Sequence, residues 1–235
     1  MNKYLRFLAN PFDDPAISIN CHLAFATDHL GRLKKRNGGP SGEDWSTQIA
    51  ATQTALDTFN QALTDDLSRS AGRKAAKFRK TKFRRGRLPD QIRRIAGGIV
   101  YRFGKPSDEL RRCLPDGRSL FNHCADDQLA SHLKALHTGV TALAADLPPE
   151  VVTFAAALRE EWQTIYTASE SASAAKTATE ARLRAARQRL QLAHYQTLLT
   201  IAQRYPDQPK KLPLYMQFHL LESRKRRPSR EKPAD

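Results

Sequence analysis

The sequence predicts an all-α protein, an elongated helical bundle of two related hairpins that each join a short helix to a long one. Apolar residues recur at helical spacing in four segments, which come as two short–long pairs. Only Ile99 to Tyr101 could form a strand, and one such run makes no sheet. A composition of 40% apolar and 27% charged residues suits elongated helices with a large surface.

The first hairpin is predicted over residues 18–96, after an N-terminal segment at 1–17. Its short helix covers about Ser18 to Lys35, with leucines and an alanine on one face. The glycines and proline at 37–40 are a strong stop signal.

The long helix of this hairpin can be capped by Ser41 or Asp44. Its apolar face is a stripe at steps of three and four residues: Trp45, Ile49, Thr52, Leu56, Phe59 and Leu63. It either continues through a basic run to Pro89 or breaks near Gly72 or Gly86.

A connector is predicted over residues 97–125. Gly97 and Gly98 are expected to stop the preceding helix, and the Leu-Pro-Asp-Gly sequence at 114–117 is typical of a turn. The remainder of the connector is expected to form short helical pieces.

The second hairpin is predicted over residues 126–205, before a C-terminal segment at 206–235. Its short helix covers 126–145, and its long helix starts at Pro148 to Glu150 because proline suits the first helical positions. The chain has no breaker before Pro206, which predicts about 55 helical residues and a length of roughly 80 Å. Its apolar positions follow the heptad rhythm of a coiled coil.

The two hairpins align without gaps at an offset of 106 residues, which favours internal duplication. Identical pairs at this offset include Leu23 and Leu129, Leu30 and Leu136, Ile95 and Ile201, and Ala96 and Ala202. Duplicated hairpins predict an antiparallel bundle with pseudo-twofold symmetry. The small residues at 168–181 permit close helix approach, and a homodimer through the long helices is a candidate assembly.

The stretch SASAAKTATEARLRAARQRLQ at 171–191 resembles a class of uncharacterised bacterial proteins. These proteins are built from tandem helical hairpins with a second helix rich in alanine, lysine and arginine. The similarity covers residues 120–205 better than the first half of the chain. It implies an all-helical fold without an assigned activity, so it carries over no functional residue.

Most of the net positive charge lies in one segment, the basic run at 69–94. Twelve lysines and arginines against Asp90 give this run a net +11, out of a formal +15 for the whole chain. Such a concentration is self-repelling and points to an anionic partner, or to a solvated helix face. The tail at 222–235 adds +3, from six cations and three acids, and its residues 223–235 are predicted to be disordered.

The leading functional hypothesis is a non-enzymatic protein that binds a polyanion, most simply nucleic acid without strong sequence specificity. Cations neutralise phosphates, and interleaved aromatic rings can stack on bases. The candidate binding residues are Arg73, Lys74, Lys77, Phe78, Arg79, Lys80, Lys82, Phe83, Arg84, Arg85 and Arg87. Two alternatives stay open: an acidic protein partner for the run, and a structural protein that assembles through contacts of its helices.

The candidate metal ligands and acid–base residues of the sequence match no recognised metal or catalytic site. Cys113, His123, Cys124, His132 and His137 have spacings that fit no standard zinc site. His22, Asp28 and His29 could form an acid–base group opposite His132, but satisfied or exposed histidines are commoner. The sequence has no phosphate loop, no Gly-x-Ser-x-Gly and no His-Glu-x-x-His. We therefore predict no enzyme, no metal and no cofactor.

The remaining features predict a cytoplasmic protein without a membrane segment. Cys21, Cys113 and Cys124 are an odd number and lie far apart, which predicts no disulfide framework. The apolar stretch at 4–9 is too short for a signal peptide, and no run approaches the roughly 18 apolar residues of a membrane helix.

Overall fold

The structure, a computed structural model, describes residues 9–39 and 42–222. These residues form helices and connecting segments with no strand among them, so the predicted all-α class is confirmed. The α-helices are α1 (Ile19–Arg36), α2 (Ser46–Lys82), α3 (Leu88–Phe103), α4 (Asp108–Cys113), α5 (Leu120–His123), α6 (Asp126–Ala142) and α7 (Pro149–Arg204). A π-helical segment, Phe83–Arg87, joins α2 to α3, and two 3-10 helices follow α7 at Pro209–Leu214 and Phe218–Leu220.

The chain forms two compact units. Among the described residues, unit 1 comprises 9–39, 42–66 and 179–222, and unit 2 comprises 67–178. Each unit contains one of the short helices, α1 or α6, together with a part of α2 and a part of α7. The unit boundaries therefore differ from those of the predicted hairpins, because the long helices contribute to both units. The predicted tail and the candidate cap Ser41 lie outside the described residues.

The core of unit 1 forms around α1. Ser18 caps this helix by accepting a hydrogen bond from the backbone N–H of Cys21. The inward face of α1 carries Phe25, Leu30 and Leu33, which are buried against α2 and the C-terminal part of α7. Leu30 and Leu33 belong to the stripe that the sequence predicted, whereas Phe25 was not included in it. The helix begins and ends one residue later than predicted.

A buried carboxylate anchors the entry to α2 within unit 1. Glu43 is 6% exposed and accepts hydrogen bonds from Trp45 Nε1 at 2.8 Å, Tyr215 Oη at 2.7 Å and Tyr205 Oη at 2.6 Å. A buried carboxylate needs such donors because desolvation of its charge is otherwise costly. Asp44, the second candidate cap, accepts a hydrogen bond from the N–H of Ser46, the first residue of α2.

The core of unit 2 forms where α3, α6 and α7 meet. Trp162 of α7 is fully buried and stacks against the ring of Phe83, at 5.6 Å between centroids and 27° between the ring planes. Around this pair lie the leucine stripe of α6 and the isoleucines of α3: Leu129, Leu133, Leu136, Ile92, Ile95 and Ile99. The connector contributes α4 and α5, which are the short helical pieces that the sequence predicted.

The π-helical segment keeps two buried residues on one face. Phe83 and Leu88 both belong to the core of unit 2, although they are five positions apart in the sequence. In a regular α-helix they would point about 140° apart. The N–H of Leu88 bonds to the carbonyl of Phe83, which closes the wider turn. Pro89 follows directly and has no N–H for the carbonyl of Arg85, so a regular α-helical ladder could not form here.

The prediction that Gly97 and Gly98 stop the helix is wrong. The helix α3 runs on to Phe103 and ends at Gly104, whose φ of 79° lies in the left-handed region that favours glycine. A Cβ added at Gly98 would lie 2.5 Å from Cγ2 of Val151, whereas one at Gly97 would meet nothing within 4 Å. Gly98 therefore permits α3 to approach α7 closely.

Substitution of the two glycines is expected to have opposite effects on the stability of unit 2. Gly98→Ala forces the buried, stiff side chain of Val151 to move, and should lower the free energy of unfolding by about 1–3 kcal/mol. Gly97→Ala is the matched control, and should raise it by up to about 1 kcal/mol because alanine favours the helix. Urea denaturation of both variants measures the difference. Equal stabilities would show that the space between Gly98 and Val151 does not limit the stability of unit 2.

The long helix of the second hairpin extends as predicted. It occupies Pro149–Arg204, 56 residues, and ends two residues before Pro206. Within its small-residue stretch, Ser169 and Lys176 are only 5% and 8% exposed. Part of the face considered for a homodimer is therefore covered within the chain, and the homodimer itself stays a prediction.

Candidate functional site

The basic run is helical along its whole length. Arg73 to Lys82 lie at the end of α2, Phe83 to Arg87 form the π-helical segment, and the run ends in α3. Of the two alternatives that the sequence left open, a continuous helix and a break at Gly72 or Gly86, the structure shows the continuous helix. All eleven candidate residues belong to unit 2.

A groove of about 700 Å³ runs along this helix within unit 2. We call it the basic groove, and its lining residues are Arg73, Lys77, Lys80, Thr81, Arg84, Arg85, Pro89, Asn122, Asp126, Ser169 and Ser173. Five cations and one carboxylate give the lining a net charge of +4. The remaining lining groups are almost all small and polar.

The helical period explains why these cations share one face. Arg73, Lys77, Lys80 and Arg84 follow one another at steps of four, three and four residues. The π-helical segment then places Arg85 in the same groove, although consecutive residues of an α-helix point about 100° apart.

Asp126 forms ion pairs with two of the five cations. Its carboxylate accepts hydrogen bonds from Nζ of Lys80 at 2.8 Å and from the guanidinium of Arg84. Burial alone would raise the pKa of Asp126, but the hydrogen bonds and charges of these two cations outweigh it and the pKa is lowered. Asp126 is the first residue of α6, so its charge also suits the positive end of that helix.

Arg84 is a structural residue of unit 2. Its Nη2 donates to the carbonyl oxygen of Cys124 at 2.7 Å, besides the ion pair of its Nη1 with Asp126. Its side chain is 17% exposed, and Lys80 is similarly shielded at 20%. The phosphate contact predicted for Arg84 is therefore taken by internal partners, and Arg84 positions the start of α6 instead.

The two phenylalanines of the run have different environments. Phe83 is 3% exposed and packs against Trp162, so the prediction that it stacks on a base is wrong. Phe78 is 68% exposed and can reach a ligand. The two residues are five positions apart, and such positions of an α-helix point about 140° apart, so only Phe83 faces the core of unit 2.

Most of the remaining cations have no partner within the described part of the chain. Arg87 pairs with Glu161 at 2.7 Å, with its side chain 58% exposed. Arg93 pairs with Asp90 at 3.2 Å. The others make no ion pair or hydrogen bond among the described residues: Arg69, Arg73, Lys74, Lys77, Arg79, Lys82, Arg85 and Arg94. Of these, Arg73, Lys77 and Arg85 line the basic groove.

The sequence prediction missed the polar wall that faces the cations. Ser169 and Ser173 of α7 are four residues apart and lie on one face of the helix. Thr81 and Asn122 add a hydroxyl and an amide. A signal for the serines was present in the small-residue stretch at 168–181, but nothing local tied that stretch to the basic run.

The candidate metal ligands do not form a cluster. Cys113 and Cys124 are buried in the core of unit 2, His123 is exposed, and His132 packs edge-on against Phe121 at 6.4 Å between centroids. Among residues 9–39 and 42–222, no group of three or more histidine, cysteine, aspartate or glutamate side chains could hold a metal ion.

The candidate acid–base histidines lie in unit 1, whereas His132 belongs to unit 2. His22 and His29 are fully buried, together with His194 of α7, which the sequence prediction did not include. His29 donates from Nδ1 to the carbonyl of Tyr215 at 2.8 Å. Neither ring nitrogen of His194 has a hydrogen-bond partner, and its ring lies 5.5 Å from that of His29. Asp28 instead forms an ion pair on the surface of α1 with Arg32.

Comparison of the chain with protein-family models, with curated proteins and with solved structures gave no significant match. The resemblance to bacterial tandem-hairpin proteins therefore stays a prediction. None of the helices within the described residues is long and apolar enough to span a membrane.

Proposed function

We propose that the protein is a non-enzymatic binding protein that holds nucleic acid, without strong sequence preference, in the basic groove of unit 2. The observation that carries the proposal is the set of three groove cations, Arg73, Lys77 and Arg85, that lack partners within the described part of the chain. They lie beside a shielded ion-paired group and a wall of hydroxyls, and the groove has a net charge of +4.

The electrostatics of the free protein favour an anionic ligand. Like charges four residues apart on a helix destabilise it, and Arg69, Arg73 and Lys77 follow this spacing without an acid between them. A phosphate chain removes this repulsion and releases its condensed counterions, which is the main source of affinity in sequence-independent binding. The serine, threonine and asparagine side chains of the groove can donate further hydrogen bonds to phosphate oxygens.

The lack of sequence preference follows from the same groups. Contacts from lysine, arginine and hydroxyl side chains to phosphates fix the position of a strand and carry no direct sequence information. The basic groove lines up such groups along one helix. The protein is thereby expected to bind many sequences with similar affinity.

We also propose internal duplication, which allows the charge of unit 2 to be compared with that of the equivalent positions in unit 1. At the offset of 106, α1 corresponds to residues 125–142, which is α6 with one additional residue. Equivalent positions are buried in both units: Leu30 and Leu136, Trp45 and Val151, Leu56 and Trp162, and Ile95 and Ile201. Each unit would then be built from the same three parts, a short helix, the start of one long helix and the end of the other.

The cations of the basic groove have no counterpart in unit 1 at this offset. The positions equivalent to Lys80, Arg84 and Arg85 are Ala186, Leu190 and Gln191, which are 3%, 0% and 2% exposed. Under duplication, a helix face that is uncharged and buried in unit 1 carries cations in unit 2. A difference of this kind supports a function that unit 2 alone performs.

Lysine footprinting tests the proposal. Acetylation of the full chain at low salt, with and without a 20-residue oligo(dT), should show protection at Lys77, which lines the groove, and at Lys74 and Lys82 beside it on the same helix. Lys134 and Lys210 are exposed and lie outside the groove, so their reactivity should not change. Equal protection of all five lysines, or of none, would remove the basic groove as the binding site.

A further inference from the structure

Phe78 is an exposed aromatic side chain within a field of cations. It is 68% exposed and makes no ring contact with any of the described residues, unlike Phe83 in the same run. A single exposed apolar side chain is common on protein surfaces and by itself indicates nothing. The exposure of Phe78 becomes informative because exposed cations flank it on the same helix.

The side chains one helical turn away on either side of Phe78 are Lys74 and Lys82. Both are exposed and have no ion pair within the described residues. At a rise of 1.5 Å per residue, each lies about 6 Å along the helix axis from the ring. Cations thus flank the ring on both sides, in the alternation of charge and aromatic group that suits a strand with stacked bases.

We propose that the ligand of this surface is single-stranded nucleic acid, with one base stacked on Phe78 and the adjacent phosphates paired with Lys74 and Lys82. The inference rests on the proposed function, since it names the strand state of the nucleic acid held by unit 2. It adds a second row of contacts beside the basic groove, on the same helix.

Stacking distinguishes a single strand from a duplex. In a duplex the faces of the bases are covered by their neighbours, so a side chain reaches them only by opening the stack. The ring of Phe78 stands on the convex surface of a helix, where an unstacked base can lie on it without distortion of either partner. A duplex would still meet the lysines, but the ring would contribute nothing.

The test compares three ligands of equal length and labels: oligo(dT), an abasic deoxyribose-phosphate strand, and a DNA duplex. Fluorescence anisotropy of the full chain should give the highest affinity for oligo(dT). Phe78→Ala should weaken oligo(dT) binding about 5- to 100-fold and leave binding of the abasic strand unchanged. Phe78→Trp should keep the affinity for oligo(dT) of the natural chain, because tryptophan provides a stacking surface.

Tyr101→Ala is the matched control, because Tyr101 is an aromatic residue of α3 in the same unit and is 88% exposed. It should bind all three ligands as the natural chain does. If all three ligands bind equally and Phe78→Ala changes none of them, the stacking proposal fails while the proposed function stands. If the natural chain binds none of the three, the proposed function itself fails.

Discussion

Replacement of Arg73, Lys77 and Arg85 by glutamine is expected to weaken nucleic-acid binding about 100-fold at 0.1 M salt. Each phosphate contact to a single strand contributes about 0.7 to the salt exponent, or roughly a factor of five at this concentration. Three contacts therefore multiply to about two orders of magnitude. The three side chains have no partners within the described chain, so their removal should leave the fold of unit 2 intact.

A control with the same change in net charge separates the groove from the general field of the protein. Arg94, Arg118 and Lys134 are exposed residues of unit 2 outside the basic groove. Their replacement by glutamine should weaken binding less than about fivefold, because distant exposed charges are largely screened. Equal losses in the two triple variants would mean that only the overall charge attracts the ligand. Fluorescence anisotropy with oligo(dT) measures both.

Acidification is expected to unfold unit 1 before unit 2, through three buried histidines. Burial, with a smaller contribution from the charge of Arg187, lowers the pKa of His22 from 6.5 to about 4, although Asp13 opposes the shift. Burial also lowers the pKa of His29, against the opposing effects of the Tyr215 carbonyl and Asp28. The pKa of His194 is well below 6.5 because of burial and of the two neighbouring histidines.

The sign of the effect follows from the protons bound in each state. Below pH 6.5 the unfolded chain protonates these histidines, while the folded unit keeps them neutral, His22 down to about pH 4. Stability is therefore present above pH 6.5 and is lost as the pH falls through this window. With all three histidines titrating, the loss is up to about 4 kcal/mol per pH unit, which is a large part of a typical stability.

The two tryptophans of the chain allow the measurement, because Trp45 lies in unit 1 and Trp162 in unit 2. Urea denaturation of the Trp162→Phe background, followed by Trp45 fluorescence between pH 7.5 and 5, should show the steep loss. His194→Leu removes a ring without hydrogen bonds, so it should reduce the slope by about 1.4 kcal/mol per pH unit.

Exposed His219 provides the control for the histidine substitution. His219→Gln should leave the pH dependence of unit 1 unchanged, since the side chain of His219 is in contact with water in the folded and the unfolded chain alike. A stability of unit 1 that stays constant from pH 7.5 to 5 would exclude the buried histidines as the cause of acid sensitivity.

The helices could be predicted because their signals are local. The apolar stripes of α1, α6 and α7 repeat at helical spacing, and each helix begins or ends near a proline or glycine that the sequence displays. Gly97 and Gly98 were misread because a glycine in a helix costs only about 1 kcal/mol. Packing against Val151 offsets that cost, and Val151 is more than fifty positions away along the chain.

The composition of the site could be predicted only in part. The cations were evident from the charge of the run, but their division into paired and unpaired groups depends on Asp126, which lies 42 positions after Arg84. The burial of Phe83 depends on its packing against Trp162, which lies 79 positions further along the chain, whereas Phe78 points away from that core. The serines of α7 reach the groove through the fold of unit 2 alone.

A salt series of oligo(dT) binding, made in parallel on the natural chain and the two triple glutamine variants, tests most directly whether phosphates occupy the basic groove. The slope of log affinity against log salt should become shallower by about 2 when Arg73, Lys77 and Arg85 are replaced, and should stay unchanged in the control variant. Identical slopes for all three proteins would show that the phosphates are bound elsewhere, and would contradict the proposed function of the groove.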